Sequence, residues 1–439
     1  MIDKEEIKIS VIIPVYNVKQ YIVECLDSLE KQLFRDFEII CVDDCSDDGT
    51  YEVLSGYAEK LSNLSVFRNV QNSGAALSRN SGLQYAKGKY VIFLDSDDKF
   101  DEKLLKNLYD ACVKENAQVA FCLYSSFDEY GNIESELCWQ EELLEDRGVV
   151  EEGKKKDLLF KYPVFPPYNK LVLKELLIEE KILFQDIRNA NDVLYSLLVM
   201  TCAKRIVLLN QYLVYYRRDR KGNLSESRDK KKTYVIMAYE AYIKELMKRG
   251  LWEDLYAKRI FGIILRMSYN LAVESGENVR KGMVEDFRRG ICPLTDMYIE
   301  NGMIQLSVWS KYQYDYMRGK NTEEVNNKYY FMRRDIDSYF AQKKEKIIAL
   351  WGAGKLGRLF LEATQGKNIE YVIDNDGAKQ GKSICGKEIV GFEEIEDCID
   401  EVIVLNPRFV GRIRKQVAGK CVVIDFDEVL DVMGYYTKD

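Results

Sequence analysis

The chain of 439 residues contains no histidine at all. Histidine is the side chain that most often serves as a general base and as a ligand of transition metals, so its absence removes both roles at once. We therefore expect any catalytic base to be a carboxylate. We expect any bound metal to be a hard cation held by oxygen atoms, such as Mg²⁺ or Mn²⁺, rather than zinc.

Long apolar runs are missing as well. No stretch approaches the roughly 18 apolar residues of a membrane-spanning helix, and the start, MIDKEEIKISVIIPVYN, lacks the basic and then apolar layout of a secretory signal. We therefore expect a cytoplasmic protein. Two basic clusters, the lysines at 154–156 and 230–232, would allow at most peripheral contact with the inner face of the plasma membrane.

The cysteines and the net charge exclude further classes of protein. Eleven cysteines occur without any C-x-x-C pair, and Cys41, Cys122 and Cys421 stand in apolar runs where we expect reduced, buried thiols. The formal charge of −8 argues against a broad nucleic-acid-binding surface. The remaining composition is that of a globular protein, and the length predicts more than one domain.

Short apolar runs alternate with helical patterns over about the first 125 residues. We predict strands at 9–14, 38–43, 65–68, 90–94 and 118–123. A first helix is predicted to place on one face Ile22, Cys25, Leu26, Leu29 and Leu33. The connections are long enough to be helical crossovers, so the pattern predicts a doubly wound, mostly parallel sheet.

The rest of the chain divides into two further parts. Residues 226–345 carry helical stripes such as Ile236, Tyr239 and Ile243, which predict a helical subdomain. From about Ile347 the β/α rhythm returns, which predicts a small Rossmann-like α/β domain over 346–439. The predicted domains are therefore 1–225, 226–345 and 346–439.

Polar and acidic residues stand where the predicted strands of the first domain end. These ends are Pro14 to Asn17, Asp43-Asp44 and Asp95 to Asp98. In open α/β sheets ligands bind beyond the carboxyl ends of the strands, so these side chains are expected to face one cleft. Asp95-Ser96-Asp97 would let a divalent cation bridge the protein to a diphosphate and neutralise the leaving group. A solvated acidic turn is the plain alternative.

A predicted helix over 75–86 leads into the acidic strand end. It follows Asn72-Ser73-Gly74, carries Arg79 and Asn80, and ends just before Gly88. Its amino terminus would face the same cleft, where backbone N–H groups attract anions. Arg79 would then steady a nucleotide, or form a surface ion pair.

The segments VIIPVYN, VDDCSDDGT and NSGAALSRNSGLQYAKGKYVIFLDSDD occur in this order. In order and spacing they resemble the family 2 glycosyltransferases of the GT-A fold, over about residues 7–220. The resemblance implies an inverting, metal-dependent enzyme of the hexosyltransferase type, with 1–225 as its catalytic domain. Its donor would be a nucleoside diphosphate sugar, expected to be UDP-linked. Its acceptor would be a hydroxyl of a saccharide or lipid-linked saccharide in cell-surface or capsular polysaccharide synthesis.

The resemblance also implies roles for individual residues. The implied donor-binding residues are Pro14, Tyr16, Asp44, Arg79, Asp95 and Arg217. Pro14, Tyr16 and Asp44 would surround the base, and Asp95 would contact the ribose. Asp97 would hold Mg²⁺ or Mn²⁺, and Asp98 would orient the loop. For Asn17 and Asp43 a turn-forming role serves as well as a binding one, and for Arg217 a solvated basic loop is the alternative to a diphosphate contact.

An inverting transfer needs a base for the proton of the acceptor hydroxyl. The family supplies a Glu-Asp pair, and the equivalent stretch here carries Asn191-Asp192 downstream of YNKLVLKELLIEEKILF. Asp192 is therefore the expected base, with Asp186 as the second choice and helix capping as the alternative role of Asp192. Asn191 in place of glutamate should slightly lower the pKa of Asp192 through lost repulsion. It also leaves open a protein that binds nucleotide sugars without turnover.

The sequence Gly352-Ala353-Gly354-Lys355-Leu356-Gly357 follows the strand IIALW and opens a helix. With Asp374 it matches a dinucleotide-binding pattern, so Gly352, Gly354, Gly357 and Asp374 form a secondary nucleotide-site prediction. An NAD(P)-dependent oxidoreductase is the alternative function. The segment also resembles small Rossmann-like modules of sugar acyltransferases and of some polysaccharide glycosyltransferases. For such a module a role in packing or assembly is as good an expectation as ligand binding. The oligomeric state stays open, a homo-oligomer included.

Overall fold

The structure is a computed structural model that describes residues 7–135, 148–151, 159–160, 166–218, 228–252, 255–273, 275–304, 306, 308–320, 340, 343, 345–354, 357–358, 360–361, 366, 368–405 and 409–425. The chain forms two compact units, Met1–Met297 and Tyr298–Asp439. The predicted domain boundaries at 225/226 and 345/346 stay predictions, and the first of them lies outside the described residues.

The first unit is built around a ten-stranded sheet. Its strands are β1 (Ile9–Val15), β2 (Phe37–Asp43), β3 (Leu64–Arg68), β4 (Tyr90–Phe93), β5 (Lys99–Phe100), β6 (Val119–Phe127), β7 (Ile133–Ser135), β8 (Val149–Glu151), β9 (Lys170–Leu173) and β10 (Arg205–Arg217). The order is β3-β2-β1-β4-β9-β6-β10-β5, with β7 on β6 and β8 on β10. Strands β3, β2, β1 and β4 run parallel, and β9 is antiparallel to both its neighbours. The predicted mostly parallel sheet is confirmed.

The helices of the first unit follow the crossover pattern and then form a helical region. They are α1 (Ile22–Glu30), α2 (Thr50–Ala58), α3 (Ala75–Tyr85), α4 (Leu104–Lys114), α5 (Lys174–Glu179), α6 (Asn191–Cys202), α7 (Arg228–Lys248), α8 (Leu255–Val273) and α9 (Glu277–Asp286), followed by a π-helix (Phe287–Ile291) and α10 (Cys292–Glu300), which runs past the unit boundary. In α7 the predicted stripe Ile236, Tyr239 and Ile243 is buried, as expected for a helix packed on its neighbours.

Alternate residues of β1 show why helices cover both faces of this sheet. Val11 and Ile13 pack in one core cluster with Ile22 of α1. Ile12 points the other way, towards Gly82 of α3, where a Cβ atom would lie only 2.5 Å from its Cγ2. Because successive strand residues face opposite sides, α1 and α3 must pack on opposite faces of the sheet.

The first helix is shorter than predicted. It ends at Glu30, so Leu33 lies beyond it and is 49% exposed instead of sharing the buried face. The backbone N–H of Leu33 donates to the carbonyl of Glu102 at 2.8 Å, a bond that a helical continuation would not allow. Tertiary hydrogen bonding therefore overrides the apolar periodicity at this end.

The second unit contains a six-stranded sheet of the Rossmann-like type. Its strands are β11 (Ile348–Trp351), β12 (Ile369–Ile373), β13 (Ser383–Ile384), β14 (Lys387–Val390), β15 (Glu401–Val404) and β16 (Val422–Asp425), in the order β13-β14-β12-β11-β15-β16. All neighbours are parallel except the short β13–β14 hairpin. The described helices of this unit are α11 (Val308–Met317), α12 (Phe392–Ile395) and α13 (Val410–Val417).

The predictions about membrane spans and cysteines can be compared with the described residues. In the described part of the chain, no helix combines the length and the apolar character needed to cross a membrane. No disulfide joins the described cysteines, and Cys41 and Cys122 are fully buried, whereas Cys421 is only half-buried. The lysines at 154–156 lie outside the described residues.

Replacing Gly88 with alanine should destabilise the first unit. A Cβ atom at Gly88 would lie 2.5 Å from the backbone nitrogen of Ser10 and 2.6 Å from the carbonyl carbon of Ile9, so β1 and β4 would have to separate. We expect the free energy of unfolding to fall by about 1–3 kcal/mol or more, measured by urea denaturation. The matched control is Gly56→Ala in α2, where no atom lies within 4 Å. It should be neutral or stabilising, and equal losses in both variants would contradict the prediction.

Candidate active site

The site is built where three adjacent parallel strands end. Residues Tyr16, Asp44 and Asp95 follow the strands β1, β2 and β4, and these neighbours lie in the order β2-β1-β4. Backbone hydrogen bonds continue past the strands, since the N–H of Asp44 donates to the carbonyl of Val15 at 2.7 Å. We call this edge of the sheet the carboxyl edge. The sheet therefore brings the predicted site residues of these strands to one edge, as ligand sites of open α/β sheets require.

The loops after β1 and β2 are tied to each other. Asn17, with a φ of 48°, exchanges two hydrogen bonds with Asp47, of 2.8 and 3.0 Å. The buried Asp43 accepts the backbone N–H of Ser46 at 3.2 Å and pairs with Arg68. These contacts are the turn-forming roles considered for Asn17 and Asp43.

Beside them, the two predicted base-contacting residues at the end of β1 differ in exposure. Pro14 is buried within the strand, and Tyr16, just after it, is 45% exposed. A flat aromatic side chain at the edge of a site is suited to contact a planar base. The predicted contact of Tyr16 with the nucleotide base stays a prediction.

Asp44 organises the start of α3. Its buried carboxylate accepts hydrogen bonds from the backbone N–H groups of Ser73 and Gly74, at 2.8 and 2.7 Å, and from the amide of Asn69 at 2.7 Å. The loop that precedes α3 is therefore fixed at the carboxyl edge. This bonding shows what Asp44 does within the fold, while its predicted contact with the nucleotide base stays a prediction.

The acidic corner after β4 contains one deeply buried carboxyl group. Asp95 and Asp97 are half-buried, whereas Asp98 is 1% exposed. Asp98 Oδ1 accepts the backbone N–H of Arg217 at 2.9 Å, and its Oδ2 has no hydrogen-bond partner among the described residues. Burial and the neighbouring charges of Asp97 and Asp95 raise the pKa of Asp98 well above its usual value. This supports the loop-orienting role predicted for Asp98.

Arg217 packs against this acidic loop. Its Nε donates to the backbone carbonyl of Asp97 at 2.9 Å, and its guanidinium group forms an ion pair with Glu24 of α1. The same group lies against the rings of Tyr21 and Phe127, at 5.0 and 4.5 Å from their centroids. The side chain is only 12% exposed, so it holds the main chain of Asp97 in place. A direct contact of Arg217 with a diphosphate stays a prediction.

Arg79 joins the acidic corner to the helix α6. Its guanidinium group donates to Asp95 Oδ1 at 2.6 Å and to the side-chain carbonyl of Asn191 at 3.1 Å. It lies over the ring of Phe184, 5.1 Å from the centroid, and Arg79 is only 6% exposed. Arg79 thus forms the ion pair that was considered for it, but not on the surface, because Arg79 is buried while its partner Asp95 is half-buried.

Asp192 lies in the first turn of α6, at this same junction. The N-cap of the helix is Ala190, with a φ of 55° and no side-chain cap bond, so Asp192 does not cap the helix. Burial raises the pKa of Asp192, and the positive charges of Arg79 and Lys170 oppose this rise. A carboxyl whose pKa is raised towards neutrality is a better proton acceptor when ionised. Asp186, the second choice, is exposed on the preceding loop.

Two contributors to the site were not predicted from the sequence. Lys170 of β9 is fully buried, with its Nζ 3.2 Å from the hydroxyl of Ser196 and 5.2 Å from the ring of Phe121. Phe184 forms the surface under Arg79 and is held by two 2.9 Å hydrogen bonds between its backbone and the side chain of Asn80. The available signal for Lys170 was a lysine at the start of the apolar run KLVL. For Phe184 the sequence offered no signal, because its role depends on a tertiary contact.

The carboxylates at the corner suit a hard cation that a ligand also coordinates. Among the described residues, no three acidic or thiol side chains converge as a ready-made metal cage. Mg²⁺ usually takes one or two protein carboxylates and completes its shell with water and substrate phosphates. The half-buried Asp97, with its main chain fixed by Arg217, fits that need.

The glycine motif of the second unit forms a separate feature. Gly352 has a φ of 114°, and a Cβ at Gly357 would lie 2.1 Å from the carbonyl oxygen of Gly352. The space beside Gly354 is open. The carboxylate of Asp374 accepts the backbone N–H of Ala353 at 2.9 Å, so it closes the loop of the motif. The glycines thus suit the tight turn, and the nucleotide site there stays a prediction.

Comparison with known proteins decides the family. Residues 10–179 match the model of the glycosyl transferase family 2. The glycosyltransferase GlyG of Streptococcus pneumoniae is 30% identical over 277 residues, which are 61% of this chain and 89% of that relative. The chain belongs to the family 2 glycosyltransferases. The resemblance carried by VIIPVYN, VDDCSDDGT and the DSDD segment is therefore confirmed.

Two further relatives place this glycosyltransferase among similar proteins. The poly(ribitol-phosphate) beta-glucosyltransferase of Bacillus spizizenii is 33% identical over 222 residues, 49% of this chain and 33% of that relative, so the chain spans about a third of its length. The structure of Staphylococcus aureus TarS 1–349 in complex with UDP-GlcNAc aligns with this chain at a TM-score of 0.55 and 23% sequence identity. The alignment covers 73% of this chain and 91% of the TarS chain. The second likeness shows the GT-A fold predicted from the sequence.

Proposed function

We propose that this family 2 glycosyltransferase moves a hexosyl group, with inversion, from a UDP-linked sugar to a hydroxyl of a cell-surface or capsular polysaccharide acceptor. The observation that carries the proposal is the buried Arg79, which bonds both to Asp95 of the acidic corner and to Asn191, the neighbour of Asp192. A donor-binding corner and a carboxylate base thus lie within the reach of one side chain. The acceptor is proposed from the relatives, since one of them glucosylates poly(ribitol-phosphate).

The donor half of the proposal assigns the carboxyl edge to the nucleotide. Tyr16 and Asp44, with the buried Pro14, are proposed to surround the base, while Asp95 contacts the ribose and Arg79 orients Asp95. A UDP-linked donor is supported by the similar fold of TarS, which was solved with UDP-GlcNAc.

Asp97 is proposed to hold Mg²⁺ or Mn²⁺, as enzymes of this family commonly do. When bound there, the metal would neutralise the negative charge that builds up on the departing diphosphate. The protein's part is to fix the loop: Arg217 holds the carbonyl of Asp97 and gives its own backbone N–H to Asp98. A diphosphate contact by Arg217 is proposed as a second role of the same side chain.

Asp192 is proposed to act on the acceptor side. The acceptor oxygen attacks the anomeric carbon from the face opposite the diphosphate, its proton passes to the Asp192 carboxylate, and the bond to the diphosphate breaks. One bond to the anomeric carbon forms as another breaks, so the configuration inverts. Arg79 and Lys170 keep a positive potential at this carboxylate, which favours its ionised form before the transfer.

The proposal is tested with the purified full chain, a panel of UDP-sugars and Mn²⁺ or Mg²⁺. We expect release of UDP with at least one sugar when a saccharide acceptor is supplied, and loss of this release in EDTA. Tight binding of a UDP-sugar without any release would favour the alternative of a nucleotide-sugar-binding protein without turnover. Binding of NADH, seen by fluorescence, without binding of any UDP-sugar would favour the oxidoreductase alternative and contradict the proposal.

A further inference from the structure

Asn191 makes a contact that the transfer chemistry described above does not use. It is the first residue of α6, is 8% exposed, and accepts a hydrogen bond from Arg79 through its side-chain carbonyl at 3.1 Å. On its other side Arg79 donates to Asp95 at 2.6 Å. One guanidinium group is therefore shared between an ionised acceptor and a neutral one.

The bonding of Arg79 is otherwise sparse. Its Nε has no hydrogen-bond partner among the described residues, and the ring of Phe184 lies under the group. A buried guanidinium is strongly attracted to any carboxylate in reach, because ion pairs strengthen where water is excluded. The neutral amide of Asn191 accepts a directional hydrogen bond from Arg79 without the attraction of a full negative charge. Arg79 can therefore keep its ion pair with Asp95 while it also fixes the start of α6.

We propose that Asn191 is a positioning residue, which acts through Arg79 to hold Asp192 at a fixed place beside the acidic corner. Because its side chain is neutral, Asn191 also keeps a second negative charge away from Asp192. The inference rests on the proposed function, because it concerns the transfer step. Asn191 itself touches neither donor nor acceptor in this proposal. Its neutrality sets how the charge of Arg79 is divided between Asp95 and Asp192.

The charges that face Asp192 come from three elements. Arg79 comes from α3, Lys170 from β9 and Asp95 from the loop after β4. The two cations favour the ionised form of Asp192, and Asp95 opposes it. A carboxylate at position 191 would add a like charge on the adjacent residue and would compete with Asp95 for Arg79.

The decisive variant is Asn191→Asp, which keeps the size of the side chain and adds the charge. We expect the acid limb of the pH profile of kcat to move up by about one pH unit, since a neighbouring negative charge makes Asp192 harder to ionise. We also expect the Kd of the UDP-sugar to rise roughly threefold to tenfold, because Arg79 is drawn away from Asp95. Asn191→Gln retains a neutral amide and should keep the acid limb at its wild-type pH.

The matched control is Asn116→Asp. Asn116 is exposed and stands before β6, at the edge of the sheet opposite the carboxyl edge. This control should leave both the pH profile and the Kd unchanged. A wild-type acid limb together with a wild-type Kd in Asn191→Asp would overturn the inference. An equal shift in Asn191→Gln would also overturn it, since neutrality would then not be the cause.

A second measurement separates this inference from the proposed function. In a double-mutant cycle, Arg79→Lys and Asn191→Ala are made singly and together, and their unfolding in urea is compared. If the change in unfolding free energy caused by one substitution depends on whether the other is present, the contact between Arg79 and Asn191 is supported even if no sugar is transferred. Additive effects would overturn it. Failure of the wild-type chain to turn over any nucleotide sugar would instead count against the proposed function.

Discussion

Replacing Asp192 with asparagine should stop sugar transfer and leave donor binding intact. The amide cannot take the proton of the acceptor hydroxyl, and loss of a positioned general base lowers kcat on the order of 10²–10⁴-fold. The donor is proposed to lie on the other side of Arg79, against Asp95 and Asp97. We therefore expect the Kd of the UDP-sugar, measured by calorimetry, to stay within about twofold of the wild type, a change of less than ~0.5 kcal/mol.

The same substitution should not weaken the fold at neutral pH. Because burial raises the pKa of Asp192 in the folded state, the folded chain holds the proton more tightly than the unfolded chain does. The free energy of unfolding therefore falls as the pH rises from the ordinary pKa of the carboxyl group to its raised pKa in the folded state. The loss persists at every pH above the raised pKa. Asp192→Asn removes this loss, so its unfolding free energy at pH 7 should equal or exceed that of the wild type.

Two further variants make the assignment of the base sharp. Asp110→Asn changes an exposed carboxylate of α4 that pairs with Lys106, and it should transfer sugar at the wild-type rate. Asp186→Asn tests the second choice on the loop before α6. If Asp186→Asn stopped transfer while Asp192→Asn retained it, the base would have to be reassigned to Asp186.

Replacing Asp97 with alanine should remove the dependence of donor binding on metal. Asp97 is the proposed protein ligand of Mg²⁺ or Mn²⁺, and no preformed cage among the described residues can replace it. Charge stabilisation by a metal is worth several kcal/mol, so we expect kcat/KM to fall roughly 10³-fold. Titration of Mn²⁺ in the presence of UDP, followed by electron paramagnetic resonance, should show loss of bound metal.

The control for this prediction is Asp36→Ala. Asp36 is exposed and directly precedes β2, at the edge of the sheet opposite the carboxyl edge, so it should bind Mn²⁺ and UDP as the wild type does. Urea denaturation of both variants checks that the fold is intact. Wild-type metal binding in a folded Asp97→Ala protein would contradict the assignment of Asp97.

The sequence predicted the strands of the carboxyl edge well because the apolar runs there are unambiguous, whereas their order came from the structure. The runs that became β1, β2 and β4 are bounded by polar residues, and their parallel pairing follows from long crossover connections. It did not predict β9, the antiparallel strand between β4 and β6, because its four residues open with a lysine. Insertion of that strand brings Lys170 into the surroundings of Asp192.

By itself, the sequence determined the family and the kinds of side chain available: carboxylates at the acidic corner, in a chain without histidine. Only the tertiary structure decided how these side chains are shared. Arg79 and Asn191 are separated by 112 positions along the chain, yet they lie 3.1 Å apart, and Arg217 is bound to a loop 120 positions before it. Periodicity and motif spacing report local structure, whereas such contacts depend on how distant elements pack around one sheet.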